Sequence, residues 1–421
     1  MSRTSTRRLT PAGYWLLGST FLLVLGGILM VYSASSVADY VQYQDSAYHL
    51  KKQALFALLG GVALFVASRW DFRRKHAGFD LLSPEAIAWA VWGLSFIGLL
   101  VVEIAGVGKW GATRSINLGF AYVQPSEYAK LGCLLVTAVL TVAWRKRRLD
   151  SRQYLSRLAA AVGPTVVLIM LQPDMGTTVS LLLGVVLVLW IGGVPGRWLG
   201  VTASVGLPTA ALLIWLAGYR MERVTSFLDP WADPSDSGYQ IIQSLYAFGS
   251  GGIGGIGLGL SRQKFFYLPA AHTDFVFAVI GEELGLLGAI AVIAAFGVFA
   301  VAGMRIAYES RDLFGRLIAG GLTSLIVAQA LMNMAAVTGL MPITGIPLPF
   351  VSAGGSSLTL TLACVGLILA VSRHSGQTRV RLVRSANGRG SKSAGTVERW
   401  RDSGSHLPRI DGRGAPAGRR A

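Results

Sequence analysis

Long apolar stretches constrain this chain more than any other feature. A helix needs about 17–25 mostly apolar residues to cross a bilayer. Ten candidate stretches cover residues 12–33, 53–68, 82–105, 125–144, 157–172, 176–194, 198–218, 275–303, 317–340 and 356–372. With 52% hydrophobic and only 14% charged residues, a soluble fold would leave too much apolar surface exposed. The sequence therefore predicts an all-α polytopic membrane protein with ten transmembrane helices.

The positions of the basic residues predict the orientation of these helices. Lys and Arg concentrate in the cytoplasmic loops of membrane proteins. If the N-terminus is cytoplasmic, 29 of the 38 basic residues fall on the cytoplasmic side. We therefore expect both termini in the cytoplasm and a large extracytoplasmic loop, Tyr219 to Asp274, between spans seven and eight. The net charge of +17 then reflects topology, and a nucleic-acid partner is not expected.

The chain is predicted to consist of two parts. Residues 1–373 form the ten-span membrane domain, and residues 374–421 form a basic cytoplasmic tail rich in Ser, Gly and Arg. Almost no apolar residue follows Val383, so the tail cannot bury enough surface to fold alone. We expect it to be disordered and to contact anionic membrane lipids, with docking of cytoplasmic partners as the alternative.

Several ionisable residues lie near the predicted outer ends of the spans. Asp274 precedes the eighth span and is either a helix cap or a catalytic carboxylate. Glu282 and Glu283 lie deeper, where charged side chains mark functional sites or form ion pairs. Lys130 could pair with Glu127 three residues earlier, extend toward the membrane surface, or meet Asp274 and keep it ionised.

A glycine run, residues 249–257, lies in the long outer loop. It matches the G-x-G-x-x-G pattern formally, but no strand precedes it and no Gly-Lys-Ser/Thr follows, which excludes a nucleotide-binding loop. Two interpretations stay open. The backbone N–H groups could bind a diphosphate, or the glycines could simply provide flexibility.

Six separated motifs, taken together, resemble the SEDS family (shape, elongation, division and sporulation) of bacterial peptidoglycan polymerases. The resemblance extends from the first span to about residue 373, and the form of residues 267–272 favours the division members over the elongation members. One departure is Ser115, which follows Arg114 where relatives usually have tryptophan. The motifs are Gln124–Glu127 with Lys130, Gln172–Thr177, Gly238–Gln240 with Gln243–Ser244, Gly249–Gly252, His272–Phe275 with Gly281–Gly285, and Pro347–Pro349 with Ser352–Ser356.

The resemblance implies an inverting glycosyltransferase that polymerises lipid II on the outer face of the bacterial cytoplasmic membrane, at the division septum. A lipid II flippase is the alternative activity. The implied partners are a class B penicillin-binding protein transpeptidase and other divisome proteins, and the implied cofactor is a divalent cation, Mg or Mn. Asp274 would be the catalytic base and a candidate metal ligand. The residues expected to bind substrate are Arg114, Glu127, Lys130, Gln243, Ser250, Lys264, His272 and Ser352.

Overall fold

The computed structural model describes residues 9–72, 83–109, 112–117, 119, 122–198, 200 and 218–374. Residues 199 and 201–217 of the predicted seventh span, 198–218, and the predicted tail, apart from His374, lie outside the described residues. The count of ten spans, the orientation and the disorder of the tail therefore stay predictions.

Helices make up most of the described chain. Eight of those described are long and apolar enough to cross a membrane, and α6 is a shorter apolar helix, which confirms a multi-pass membrane protein. The helices are α1 Pro11–Tyr43, α2 Tyr48–Ser68, α3 Pro84–Ala105, α4 Pro125–Arg145, α5 Ser151–Leu171, α6 Met175–Ile191, α7 Gly218–Leu228, α8 Tyr239–Gly251, α9 Val276–Glu283, α10 Gly285–Glu309, α11 Leu313–Val337 and α12 Gly355–His374.

Helix α1 is longer than the predicted span 12–33. Its 33 residues extend about 50 Å at about 1.5 Å per residue, well beyond a hydrocarbon core of about 30 Å. Polar residues such as Ser33, Ser35 and Asp39 ended the apolar stretch, but the helix continues because all three are buried against the protein. The last turns of α1 therefore pack against the protein beyond the length that a bilayer core requires.

The predicted eighth span, 275–303, is wrong as a continuous helix. It is broken at Gly285, which has a left-handed φ of 65° that glycine adopts without steric cost. The backbone N–H groups of Ile256 and Gly257 donate to the carbonyls of Glu282 and Glu283 at 3.0 and 3.1 Å. The break thus separates the short α9 from the membrane-length α10.

The glycine run packs against this break. The N–H of Leu286 donates to the Gly252 carbonyl at 2.9 Å, and a Cβ added at Gly255 would overlap the Glu283 carbonyl. The glycines are therefore needed for close backbone contact. Because N–H groups of this run bond to protein carbonyls, the structure supports neither a diphosphate loop nor plain flexibility.

A small antiparallel sheet, which the sequence did not predict, lies between α3 and α4 in the otherwise helical fold. Its strands are β1 Val107–Lys109, β2 Ala112–Asn117 and β3 Tyr122–Val123, in the order β1-β2-β3. They are too short to give an alternating sequence pattern. The central strand β2 packs against α3 and α4 and carries Arg114.

Helices α4 and α11 form the centre of the bundle, and most of their residues are buried. Helix α4 contacts α3, α5, α6 and α11, and α11 also contacts α6 and α10. Pro125 occupies the first turn of α4, where its missing N–H has no helical partner to lose. These central helices support the segment that contains Asp274.

Candidate functional site

The segment around Asp274 is held from two sides through its backbone. The side-chain amide of Asn333, on α11, donates to the carbonyls of Asp274 at 2.7 Å and Ile346 at 2.8 Å. The hydroxyl of Ser352 donates to the Thr273 carbonyl at 2.5 Å. Asp274 therefore has a fixed position that does not depend on its own side chain.

The carboxylate of Asp274 does not cap α9. That helix begins after Phe275 and has no side-chain hydrogen bond at its N-cap. Within the described part of the chain, no hydrogen bond to the Asp274 carboxylate is found. The cap interpretation is therefore wrong, and the carboxylate is available for chemistry.

The surroundings of Asp274 bring the pKa of its carboxyl group closer to neutral pH. Burial raises the pKa of Asp274 from 3.8 to about 6, because the charged form loses hydration. The guanidinium groups of Arg223 and Arg114 lower the pKa, and the nearby charge of Asp174 raises it. A carboxylate with a pKa near 6 is largely ionised at pH 7 and is basic enough to accept a proton.

Arg223, on α7, is the site residue that the sequence analysis missed. Its Nη1 donates to the Ile343 carbonyl at 3.2 Å. Nη1 of Arg223 and Oδ2 of Asp274 each lie 3.8 Å from the position of a Cβ added at Gly345, so both charged groups lie beside this glycine. The sequence shows Arg220 and Arg223 alike as basic residues of an outer loop, without a spacing that distinguishes them.

Arg114 reaches the same site from strand β2. Its Nε donates to the Gln172 carbonyl at 3.2 Å, and Nη2 donates to the Pro173 carbonyl. Asp174, the next residue, accepts from the Thr177 N–H at 3.1 Å and caps α6. Arg114 is therefore fixed by a turn that the sequence motif had already marked.

Lys130 and Glu127 form a buried ion pair inside α4. The ammonium donates to Glu127 Oε1 at 2.8 Å, and the two side chains are 2% and 6% exposed. This is the pairing that the three-residue spacing suggested. No contact between Lys130 and Asp274 is found among the residues that the structure describes.

Lys264 belongs to a different cluster. It is buried, donates to the Gly259 carbonyl and lies 3.7 Å from Glu283 Oε1. Glu283 also accepts from the Ser33 hydroxyl at 2.7 Å, and Glu282 accepts from the Arg262 N–H at 3.0 Å. The structure therefore does not support the predicted contact of Lys264 with diphosphate, because its ammonium is already neutralised inside the protein.

The other predicted substrate residues occupy three different environments. Ser250 is exposed, and its hydroxyl donates to the Ala247 carbonyl at 3.0 Å. Gln243 is half-buried on α8. Ser352 is buried and engaged with backbone, so it positions the Asp274 segment, whereas the ring of His272 packs against His49.

A polar cavity of about 430 Å³ opens beside Arg223. Ile343, whose carbonyl binds that arginine, also lines it. The other lining side chains include carboxylates, hydroxyls, an amide and one aromatic ring, among them Glu222, Ser235, Asp236, Tyr239 and Gln240. This composition suits a polar ligand with many hydroxyl groups.

The fold and site define a multi-pass membrane protein with a half-buried carboxylate and two arginines at one end of the bundle. Residues 14–377 match the model of the FtsW, RodA and SpoVE family, described as cell cycle protein, and the chain belongs to this family.

Two relatives and one solved structure illustrate the similarity. Stage V sporulation protein E of Bacillus subtilis is 41% identical over 85% of this chain and 95% of its own length. The “Probable peptidoglycan glycosyltransferase FtsW” of Geobacter sp. strain M18 is 38% identical over 83% and 94%. A chain of a solved peptidoglycan synthase complex, 32% identical, superposes with a TM-score of 0.67 and covers 86% of this chain and 98% of that one.

Proposed function

We propose that this protein is a peptidoglycan glycosyltransferase that polymerises lipid II on the outer face of the bacterial cytoplasmic membrane. The observation that carries the proposal is Asp274, a half-buried carboxylate without a hydrogen-bond partner among the described residues, with Arg223 and Arg114 close enough to lower its pKa. The similarity to relatives named as peptidoglycan glycosyltransferases supports it.

The chemistry requires one base and a means of neutralising a diphosphate. The 4-hydroxyl of an incoming N-acetylglucosamine attacks the anomeric carbon of the growing strand, and the bond to undecaprenyl diphosphate breaks with inversion. Asp274 accepts the hydroxyl proton. Because a diphosphate leaves as an anion, no second carboxylate is needed to protonate it, in contrast to a glycoside hydrolase. Arg114 and Arg223 stabilise the charge that develops on the leaving group.

The polar cavity beside Arg223 gives the saccharide a place next to these charges. Its volume of about 430 Å³ lies within the range of small-molecule sites. The hydroxyl, amide and carboxylate groups that line it can bond to sugar hydroxyls, and Tyr239 offers a face for a sugar ring. We place Gln243, Ser250 and His272 with the saccharide as well, on the motifs they share with the family.

A divalent cation, Mg or Mn, fits this site only as an ion shared with the substrate. Within the described ranges, no group of three or more His, Cys, Asp or Glu side chains could hold a metal. Mg²⁺ is commonly bound through one or two carboxylates together with substrate phosphates. Asp274 would supply the protein ligand, and the ion would neutralise charge on the diphosphate.

An experiment in which lipid II is supplied in the outer leaflet distinguishes a polymerase from a lipid II flippase. Purified protein in vesicles that carry labelled lipid II in the outer leaflet is expected to form glycan polymer, because polymerisation needs no transfer across the membrane. Polymer length is read on a gel. Transfer of lipid II between leaflets without any polymer would contradict the proposed activity and favour a flippase.

The partner and the location follow from the same proposal. The solved relative is part of a complex that coordinates polymerization and crosslinking. We therefore infer that this chain binds a class B penicillin-binding protein transpeptidase, with other divisome proteins, at the division septum. A fluorescent fusion is expected to concentrate at mid-cell during division, and an even distribution along the side wall would favour the elongation role instead.

Replacing Arg223 with glutamine is expected to shift the pH dependence of polymerisation. Arg223 lowers the pKa of Asp274, so its removal raises that pKa above its value of about 6. Because the base acts only when ionised, the acid limb of the rate should move to higher pH by about one unit, with a loss of about fivefold at pH 6 and a smaller loss at pH 8.

Arg262→Gln is the matched control, because Arg262 lies in the same outer region with an exposed side chain. Polymerisation rates between pH 5.5 and 8.5 should superpose on the wild-type curve for this variant. An Arg223→Gln curve that is lower but parallel to the wild type would show that Arg223 does not act on the ionisation of Asp274.

A further inference from the structure

A buried carboxylate and an imidazole join the outer ends of α1 and α2. Asp39 is 1% exposed although it lies near the end of α1. Its Oδ1 is 2.5 Å from Nδ1 of His49, and its Oδ2 accepts from the His49 N–H at 3.0 Å and the Ser35 hydroxyl at 2.9 Å. A carboxylate bonded in this way sets both the tautomer and the ring orientation of its histidine.

The oriented ring of His49 packs on the segment that contains Asp274. The centroids of the His49 and His272 rings are 4.6 Å apart, with an interplanar angle of 46°. Tyr48 contacts His49 edge-on at 5.3 Å. His272 is only two residues before Asp274, so the position of its ring is tied to the path of the catalytic segment.

A second contact from the next turn of α2 reaches this segment by another route. The amide of Gln53, one turn after His49, donates to the Ser352 carbonyl at 3.2 Å and accepts from the Gly354 N–H at 3.5 Å. Ser352 in turn donates its hydroxyl to the Thr273 carbonyl. The first two turns of α2 therefore support the residues on the N-terminal side of Asp274 twice.

We propose that His49, held by Asp39, is a positioning residue of the active site, which fixes the His272–Asp274 segment through ring packing without touching the substrate. This inference rests on the proposed function, since it assumes that Asp274 is the base. Asn333 fixes the Asp274 carbonyl from the side of α11, and His49 fixes the preceding residues from the side of α1 and α2. The outer α1–α2 turn thereby becomes part of the catalytic framework.

Three substitutions of His49 test whether it acts through ring packing or has only a general structural role. His49→Phe keeps a ring against His272 and loses the bond to Asp39. His49→Gln keeps a side-chain donor for Asp39 and loses the ring, and His49→Ala loses both. We expect kcat for polymerisation to fall about tenfold in the Ala and Gln variants and about twofold in the Phe variant, with KM for lipid II within twofold of wild type in all three.

The pH dependence of the rate distinguishes a positioning role from a loss of folded protein. A loss of folded protein lowers the rate without shifting its acid limb. With Arg114, Arg223 and Asp174 unchanged, a loosened Asp274 becomes better hydrated, and its pKa falls toward the ordinary carboxyl value. The acid limb of the rate should therefore move to lower pH in His49→Ala and His49→Gln. This shift is opposite in direction to the one expected for Arg223→Gln.

Lys51→Ala is the control, because Lys51 lies in the same turn, is exposed and pairs with Asp45 at 2.8 Å. Its kcat, KM and pH profile should match the wild type. If His49→Ala elutes and melts like the wild type and keeps its kcat and acid limb, the inference is overturned while the proposed polymerase activity stands. If the Ala variant does not fold, equal rates for the Phe and Gln variants overturn it instead.

Discussion

Replacing Asp274 with asparagine is expected to lower the rate of lipid II polymerisation by about 10²–10⁴-fold. Asparagine keeps the shape of the side chain, and the backbone of this segment is held by Asn333 and Ser352, so the fold should persist. What disappears is the group that accepts the hydroxyl proton. The measurement is polymer formation from labelled lipid II by the purified full-length protein.

Asp229→Asn provides the comparison for this variant. Asp229 is an exposed carboxylate after α7 whose Oδ1 accepts from the Trp231 N–H, a bond that asparagine can also accept. Its rate should equal the wild type. A near-wild-type rate for Asp274→Asn would show that Asp274 is not the base. A rate that recovers as the divalent-ion concentration rises would assign Asp274 to metal binding instead.

Replacing Lys130 with methionine is expected to destabilise the protein strongly. Lys130 and Glu127 are both buried and 2.8 Å apart, so the substitution leaves an unpaired carboxylate inside α4. Breaking a buried ion pair from one side costs about 3–5 kcal/mol, because the remaining charge has lost both water and its partner. The change is measured as a fall in the thermal unfolding midpoint of the detergent-purified protein.

Two further variants test this explanation. Arg305→Met breaks the exposed pair with Glu309, for which at most about 1 kcal/mol is expected. The double variant Lys130→Met with Glu127→Gln removes both buried charges and should melt above either single variant. If Lys130→Met melts like the wild type, or if the double variant melts below both single variants, the pair does not stabilise α4 in this way.

Local features of the sequence predicted most of the helices. Eight described helices have the length and apolar character that the sequence predicted for membrane spans, since these features depend on residues close in sequence. The resemblance to a family marked the segment with Asp274 as a functional candidate, and the matching family model confirms the family assignment. The catalytic role itself is still a prediction.

Contacts between distant segments account for what was missed. The break at Gly285 depends on carbonyls that bond to the glycine run, about 30 residues earlier in the chain. Arg223 and Asp274 both lie beside Gly345, and this arrangement brings together three segments that are separated by long stretches of chain. Lys264 looked like an outward-facing cation, but Glu283 and the Gly259 carbonyl neutralise it.

The sequence by itself determined that this protein crosses a membrane several times, because the length and apolar character of a span suffice for that. It also marked Asp274 and Arg114 as candidates. Only the tertiary structure decided which charges act together. It places Arg223 beside Asp274, and it pairs Lys130 with Glu127 and Lys264 with Glu283 inside the protein. The physical reason is that the effect of one charge on another depends on distance and burial, which the folded chain sets and the order of residues does not.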